Sequence, residues 1–197
     1  MGQYYMPLLT GKDKKAIRFY SHNYDNGLKL MEHSWVGNNF VNAVLSKLDD
    51  NPMRVAWIGD YADSDERTEF SQGFIKSHRS FMNYYRKAWG DKSQVPTIRD
   101  AEQYSLNQNT TDCYLVNLTQ NCFIDMQKYI ADNNYNGWII NPLPLLTCIG
   151  NGGGGGDYYS DIGQEDVGTW AFDEVYITKN KPAGMTETHY FFKEGWQ

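Results

Sequence analysis

Two pairs of short apolar segments, each joined by a cluster of turn-forming residues, limit most strongly how this chain can fold. In residues 3–21, Thr10-Gly11-Lys12-Asp13 separates QYYMPLL from KAIRFYS. In residues 113–129, Thr119-Gln120-Asn121 separates two further apolar runs. Apolar runs flanking such clusters are typical of β-hairpins. We therefore predict two antiparallel hairpins, with a helix over residues 120–131 as the alternative for the second.

Further strands are predicted from apolar, β-branched and aromatic runs. Residues 54–60 (RVAWIGD) and 167–178 (VGTWAFDEVYIT) each place a tryptophan three residues before an aspartate. Residues 188–194 are also strand-like, and so are residues 138–149, although two prolines restrict the latter to an edge or an extended run. A hairpin followed by a Trp-bearing strand in each half suggests an internal duplication.

Two amphipathic helices are predicted by apolar residues at helical spacing. One covers residues 34–48, with Ser34 capping its first turn, and the other covers residues 65–89. Residues 91–112 are polar and mark a weak internal boundary. We predict one compact domain over residues 1–197, of the α+β class, with both helices packed on a mostly antiparallel sheet.

The charge of the chain is uneven. Residues 1–100 carry 14 Lys and Arg against 12 Asp and Glu, whereas residues 101–197 carry 4 against 12. Because nucleic-acid binding depends on cations that displace counterions from phosphates, direct binding of DNA or RNA is not expected. The acidic half suits a basic partner, a bound cation or a solvated face. Three cysteines without a CxxC motif, no signal-peptide pattern and no long apolar run predict a cytoplasmic protein without membrane association.

The run from Gly150 to Asp157 contains five successive glycines. Glycine-rich loops can bind phosphates through backbone N–H groups, but this run lacks the GxxxxGK[ST] pattern and is followed by acidic residues. A phosphate loop is therefore rejected. A flexible linker, a close backbone approach to a partner or ligand, and an active-site flap remain as alternatives.

No nucleophile motif, metal-ligand spacing or cofactor motif is present in the sequence, so no catalytic residue, metal or cofactor is predicted. The predicted ligand- or partner-binding residues belong to the glycine run and to the two Trp-bearing segments. They are Asn151, Gly153, Gly154, Asp157, Tyr158, Trp170, Asp173, Trp57 and Asp60. An enzymatic alternative requires Asp60, Asp63 and Asp157 to converge, ideally beside His22 or His33.

Several segments together resemble a known group of proteins. The opening MGQYY, the segments WIGDYAD and VGTWAFD, and PLPLLTCIGNGGGGGDYY are similar to a loose family of uncharacterised proteins from bacteria, especially gut Firmicutes, and their phages. That family has no assigned activity, so the resemblance implies no catalytic residue. It implies that the Gly150–Tyr158 loop and both Trp-bearing segments are characteristic features, and that a mobile-element origin is expected.

These observations favour a non-enzymatic protein that binds or sequesters a host protein or a signalling nucleotide. Antagonism of a bacterial defence system is the specific hypothesis that a phage origin suggests. One alternative is a metal-assisted hydrolase or nucleotide-modifying enzyme using the three aspartates, and another is a virion structural or assembly protein. A homo-oligomer is compatible with each of these.

Overall fold

The computed structural model describes residues 2–12, 16–62, 97–98, 110–134 and 137–193. The helix predicted over residues 65–89 and most of the connection over residues 91–112 lie outside these ranges. Within them, a mostly antiparallel sheet with helices on it confirms the α+β class.

The strands of the described residues form one sheet. They are β1 (Tyr5–Thr10), β2 (Ala16–Phe19), β3 (Met53–Gly59), β4 (Thr97–Ile98), β5 (Tyr114–Asn117), β6 (Cys122–Asp125), β7 (Cys148–Ile149), β8 (Glu174–Thr178) and β9 (Thr186–Glu187). Their order is β4-β2-β1-β3-β8-β5-β6-β9, and β7 pairs with β3. The pairs β2–β4, β3–β7 and β6–β9 are parallel and the others antiparallel. The predicted hairpin β1–β2 is confirmed, and so is the pairing of β5 with β6. The second strand of that hairpin is shorter than predicted, because it ends at Asp125 and residues 126–132 form a helix, in part as the alternative for residues 120–131 had it.

The helices of the described residues are short. They are α1 (Leu30–His33), α2 (Asn39–Lys47), α3 (Met126–Asp132) and α4 (Pro142–Leu146), with 3₁₀ turns at Ser21–Tyr24 and Gln164–Asp166. Helix α2 begins later than predicted, because Asn38 is its N-cap and accepts hydrogen bonds from the N–H groups of Phe40 and Val41. Ser34 instead ends α1, where its hydroxyl donates to the Leu30 carbonyl at 2.6 Å. None of these helices is long and apolar enough to cross a bilayer.

The strand predicted over residues 138–149 is wrong for most of its length. Pro142 and Pro144 lie in the first turn of α4, where backbone N–H groups have no partner within the helix. Asn141 caps that turn by accepting from Leu143 N–H at 3.0 Å. Only Cys148–Ile149 forms a strand.

Two other strand boundaries differ from the prediction. Residues 167–172 form turns, so Trp170 precedes β8 and does not lie in a strand. The last strand, Thr186–Glu187, precedes the predicted run over residues 188–194.

The sheet has an approximate internal two-fold arrangement. In each half a hairpin is followed by a strand that pairs with the first hairpin strand, giving β2-β1-β3 and β6-β5-β8. The strands β3 and β8 meet antiparallel at the centre, and the edge strands β4 and β9 each lie parallel to the second hairpin strand. This topology is compatible with an internal duplication, which stays a prediction. The two Trp-Asp segments that suggested it are not equivalent, because Trp57 lies within β3 whereas Trp170 lies ahead of β8.

The main apolar cluster lies on one face of the sheet. It takes Tyr5 and Leu9 from β1, and Val55 and Trp57 from β3. Side chains at the alternate positions, such as Met6, Leu8, Ala56 and Ile58, form a smaller cluster on the other face. The helices α2 and α4 cover the main cluster with the buried side chains Phe40, Val41, Val44, Leu45, Leu143, Leu145 and Leu146. The sheet and these two helices therefore fix the segment that leads into the glycine run.

Candidate functional site

Asp157 closes the glycine run into a hydrogen-bonded loop. Its buried carboxylate accepts from the N–H groups of Gly152 at 2.7 Å and Gly154 at 2.9 Å. The other carboxylate oxygen accepts from the Tyr5 hydroxyl at 2.8 Å. The side chain of Asn151 also pairs with the backbone N–H and carbonyl of Tyr158, at 2.8 and 3.0 Å. These bonds favour a closed, internally braced loop over a flexible linker.

The glycines allow the loop to approach the start of the same chain. A Cβ atom at Gly150 would lie 2.7 Å from Gln3 Nε2, and one at Gly153 would lie 2.9 Å from Gln3 Oε1. Gly150 also has a φ of +95°, which L side chains rarely adopt. The Gln3 N–H donates to the Gly155 carbonyl at 3.2 Å. The close backbone approach expected of this run is therefore made to the chain's own N-terminal segment.

Tyr5 and Cys148 lie buried beneath the loop. Burial, the neighbouring Cys148 and the charge of Asp157 all raise the pKa of the Tyr5 hydroxyl. Burial and then the charge of Asp157 raise the pKa of the Cys148 thiol. Both groups are consequently neutral near pH 7, and the thiol lacks the thiolate character that a nucleophile needs.

Four of the residues predicted to contact a ligand are buried and support the loop instead. The exposed fraction is 0% for Trp57 and Trp170, 1% for Tyr158 and 6% for Asp157. The backbone N–H of Trp57 donates to Thr147 O at 2.8 Å and that of Trp170 donates to Leu146 O at 2.7 Å. The two tryptophans therefore flank the segment that leads into the loop.

The two tryptophan side chains are each held by one polar partner. The Trp57 indole donates to His33 Nε2 at 2.9 Å, and the Trp170 indole donates to the Tyr190 hydroxyl at 3.0 Å. A buried indole N–H usually finds such a partner. These side chains thus act in packing, and direct contact with a ligand is not open to them.

Asp60 and Asp173 lie at opposite ends of β3. Asp60 follows its last residue and accepts from the Tyr4 N–H at 3.0 Å. The Asp173 carbonyl accepts from Val55 N–H, and its carboxylate accepts from Asn117 at 2.8 Å and Gln120 at 2.7 Å. At about 3.3 Å per residue, the five positions from Val55 to Asp60 span roughly 16 Å. Asp173 therefore does not join Asp60 in one site.

The enzymatic alternative finds little support in the described residues. Asp63 lies outside them, and Asp157 is fully engaged by Tyr5 and the loop. His33 is buried against Trp57, whereas His22 is exposed. Among the residues that the structure describes, no three His, Cys, Asp or Glu side chains are grouped as a metal site would require.

Two exposed tyrosines, one directly after the loop and one on the N-terminal segment that pairs with it, were not among the predicted site residues. Tyr159 is 53% exposed, and its hydroxyl lies 3.3 Å from the Gly152 carbonyl. Tyr4 is 41% exposed and follows Gln3, which pairs with Gly155. Gly152 and Gly155 are themselves exposed. We call Tyr4, Gly152, Gly155 and Tyr159 the loop face.

Beneath the loop face, Asp157 and Asn151 are engaged in hydrogen bonds with the loop itself, whereas the buried side-chain amide of Gln3 has no hydrogen-bond partner among the described residues. The adjacent Tyr158-Tyr159 pair was the one available sequence signal, since neighbouring residues in an extended segment point to opposite sides. It does not tell which of the two tyrosines is exposed. Comparison with known proteins found no matching family model, no similar curated protein and no similar solved structure.

Proposed function

We propose that this is a non-enzymatic binding protein of phage or mobile-element origin. It sequesters a host protein or a signalling nucleotide, and so antagonises a bacterial defence system. The observation that carries the proposal is the loop face, in which a glycine loop closed by Asp157 leads into the exposed Tyr159 and pairs with the N-terminal segment that carries the exposed Tyr4. The resemblance to bacterial and phage proteins supports the origin.

A closed loop supports binding because ordering a flexible segment opposes association. Each side chain immobilised at an interface costs about 0.5–1.5 kcal/mol, and a preorganised loop avoids part of the corresponding backbone cost. Tyrosine adds a large contact area and a polar tip at low entropic cost. The loop face combines these two properties.

The state of Asp157 favours binding over catalysis. A general base must reach a proton of the substrate. Asp157 instead accepts three hydrogen bonds from its own loop and from Tyr5, beneath the surface. Its carboxylate holds the shape of the loop.

The experiment compares the wild-type protein with the double variant Tyr4→Ser/Tyr159→Ser. Affinity capture from host lysate tests for a protein partner, and calorimetry with a panel of cyclic oligonucleotides tests for a nucleotide. We expect either a host protein or a cyclic oligonucleotide to bind the wild type. The same partner should bind the double variant at least roughly tenfold more weakly. Trp138→Ser is the matched control, because Trp138 is exposed but lies outside the loop face.

Two results would contradict the proposal. The first is that neither a host protein nor a nucleotide binds the wild type. The second is that the double variant binds the partner as tightly as the wild type does. Self-association of the wild type at micromolar concentration, with no other partner, would favour an assembly protein instead.

A further inference from the structure

Exposed apolar side chains are concentrated beside the loop face. Six large ones are exposed among the described residues: Tyr4, Leu118, Trp138, Tyr159, Ile162 and Phe191. Tyr159, Ile162 and Phe191 lie on two segments that pack against each other. The Tyr158 hydroxyl contacts the Ile162 carbonyl and accepts from the Lys193 N–H at 3.0 Å. A Cβ atom at Gly163 would collide with the Phe191 carbonyl.

Three carboxylates lie close to this apolar group along the chain. Asp161 and Glu165 are exposed and Asp166 is half-buried, within and beside the 3₁₀ turn Gln164–Asp166. Burial and then the charge of Glu165 raise the pKa of Asp166. Lys193 lies at the edge of the group, while no Lys or Arg occurs in the sequence between Lys128 and Lys179. We call Tyr159, Ile162 and Phe191, with Asp161, Glu165 and Asp166, the acidic apolar patch.

We propose that the acidic apolar patch is a docking surface for a basic amphipathic segment of a protein partner. The inference rests on the proposed function and names the chemistry of its partner. Apolar side chains of the segment pack on Ile162 and Phe191, while its Lys and Arg side chains reach Asp161 and Glu165. Tyr159 joins this patch to the loop face, so both surfaces serve one partner.

Charge selects this partner over the other classes. The carboxylates repel the phosphates of a nucleotide, a nucleic acid or an anionic lipid surface, and they attract Lys and Arg. Apolar contact at the centre with charge at the rim is the usual anatomy of a protein interface. Rim charges act mainly on association rate and specificity, so binding is expected to weaken as salt rises.

The test uses a synthetic amphipathic Leu/Lys helical peptide as the probe, and a Leu/Glu peptide of the same pattern as its counterpart. Calorimetry on the wild-type protein is expected to show micromolar binding of the Leu/Lys peptide, weakening with salt, and no binding of the Leu/Glu peptide. Ile162→Ser/Phe191→Ser is expected to weaken binding at least roughly tenfold. Asp161→Asn/Glu165→Gln is expected to remove most of the salt dependence.

The matched control is Leu118→Ser, because Leu118 is 39% exposed and Ile162 is 41% exposed. This variant should bind the peptide as the wild type does. Amide chemical shifts in a ¹H–¹⁵N spectrum should change on addition of the Leu/Lys peptide over residues 159–166 and 190–193. The inference is overturned if the Ile162/Phe191 variant binds unchanged, if the Leu/Glu peptide binds equally well, or if the shifts map elsewhere.

The outcomes separate this inference from the proposed function. A host partner that depends on Tyr4 and Tyr159 but not on Ile162 and Phe191 supports the proposed function and overturns the docking surface. Peptide binding at the patch, in a protein that captures neither a host protein nor a nucleotide, supports the docking surface and overturns the proposed function.

Discussion

At the scale of single residues, Asp157 determines the shape of the glycine loop. Asp157→Asn keeps the size of the side chain but replaces one acceptor oxygen with an amide donor. Because Gly152 and Gly154 share Oδ2 and the Tyr5 hydroxyl uses Oδ1, the amide NH₂ group then faces either the Tyr5 hydroxyl or both glycine N–H groups. Because hydrogen bonds to a buried charged group contribute about 1.5–3 kcal/mol, we expect the free energy of unfolding to fall by about 3 kcal/mol. Urea denaturation measures this change.

The control for Asp157→Asn is Asp161→Asn, since Asp161 is exposed in the same part of the chain. This variant should change the free energy of unfolding by no more than about 0.5 kcal/mol. Hydrogen exchange at Gly152 and Gly154 should accelerate in Asp157→Asn only. Equal stability of the two variants would show that Asp157 does not organise the loop.

His33 makes the stability of the fold sensitive to acid. Its ring is buried between Phe40 and Trp57, its Nε2 accepts from the Trp57 indole, and its Nδ1–H donates to the Gly27 carbonyl at 3.0 Å. Burial lowers the pKa of His33 from 6.5 to about 4, although the Gly27 carbonyl partly opposes this shift. Protonation of Nε2 would point its new N–H group at the indole N–H group of Trp57.

The direction of the pH effect depends on whether His33 binds a proton more readily in the folded protein or in the unfolded chain. As pH falls below about 6.5 the unfolded chain protonates this histidine, whereas the folded protein resists until about pH 4. The contribution of His33 to the free energy of unfolding should therefore be fully present above pH 6.5. About 3 kcal/mol of it should be lost by pH 4. Urea denaturation across this range measures the loss. His33→Gln should remove that part of the slope, while His22→Gln, at an exposed position, should keep it.

At the residue scale, the sequence predicted which residues lie together in one loop better than it predicted which side chains are exposed. Asn151, Gly153, Gly154, Asp157 and Tyr158 do belong to one closed loop, because they are close in sequence. Exposure depends on contacts between residues distant in sequence, such as the hydrogen bond from Tyr5 in β1 to Asp157. Trp57 and Trp170 are also candidates on chemical grounds, yet both are buried.

At the scale of elements, the predictions were correct where neighbouring residues alone determine the structure. Each hairpin has its turn residues between its own two strands, so nothing distant is needed to define it. Residues 138–149 gave a misleading signal, because proline is unfavourable inside a helix but acceptable in its first turn. The true start of α2 was missed because Ser34 and Asn38 are both good capping residues. The bridge between Trp35 and Ile140, which keeps Trp35 out of a helix, involves residues far apart in sequence, so the sequence alone does not favour Asn38.

The start of α2 can be tested by comparing two neighbouring asparagines. Asn38→Ala removes the side-chain acceptor of the Phe40 and Val41 N–H groups and the bond to Asn26 Oδ1, so it should destabilise the protein by about 1–2 kcal/mol. Asn39→Ala changes an exposed helical residue to a better helix former and should be close to neutral. Thermal and urea denaturation measure both. Equal effects of the two substitutions would place the helix start elsewhere.

At the scale of the whole molecule, the two halves of the sheet share one interior. Their direct strand contact is short, with Met53–Val175 and Arg54–Glu174 as its only β3–β8 register pairs. Trp57–Cys148 and Ile58–Ile149 add a second contact between β3 and β7. The main apolar cluster includes side chains from both halves, such as Val44 and Leu143. Among the described residues, one apolar cluster therefore runs through both halves of the sheet.

We therefore expect the described structure to unfold in a single cooperative transition. Asn38→Ala acts in the first half and Asp157→Asn in the second, yet both should lower the same urea midpoint and leave the slope of free energy against urea unchanged. Tryptophan fluorescence and far-ultraviolet circular dichroism should give coincident curves, because Trp57 and Trp170 lie in the same apolar cluster. If either variant splits the transition, or shifts one signal without the other, the halves are independent units. In that case the contacts of the loop with the N-terminal segment join two domains, and the loop face is a junction that can open.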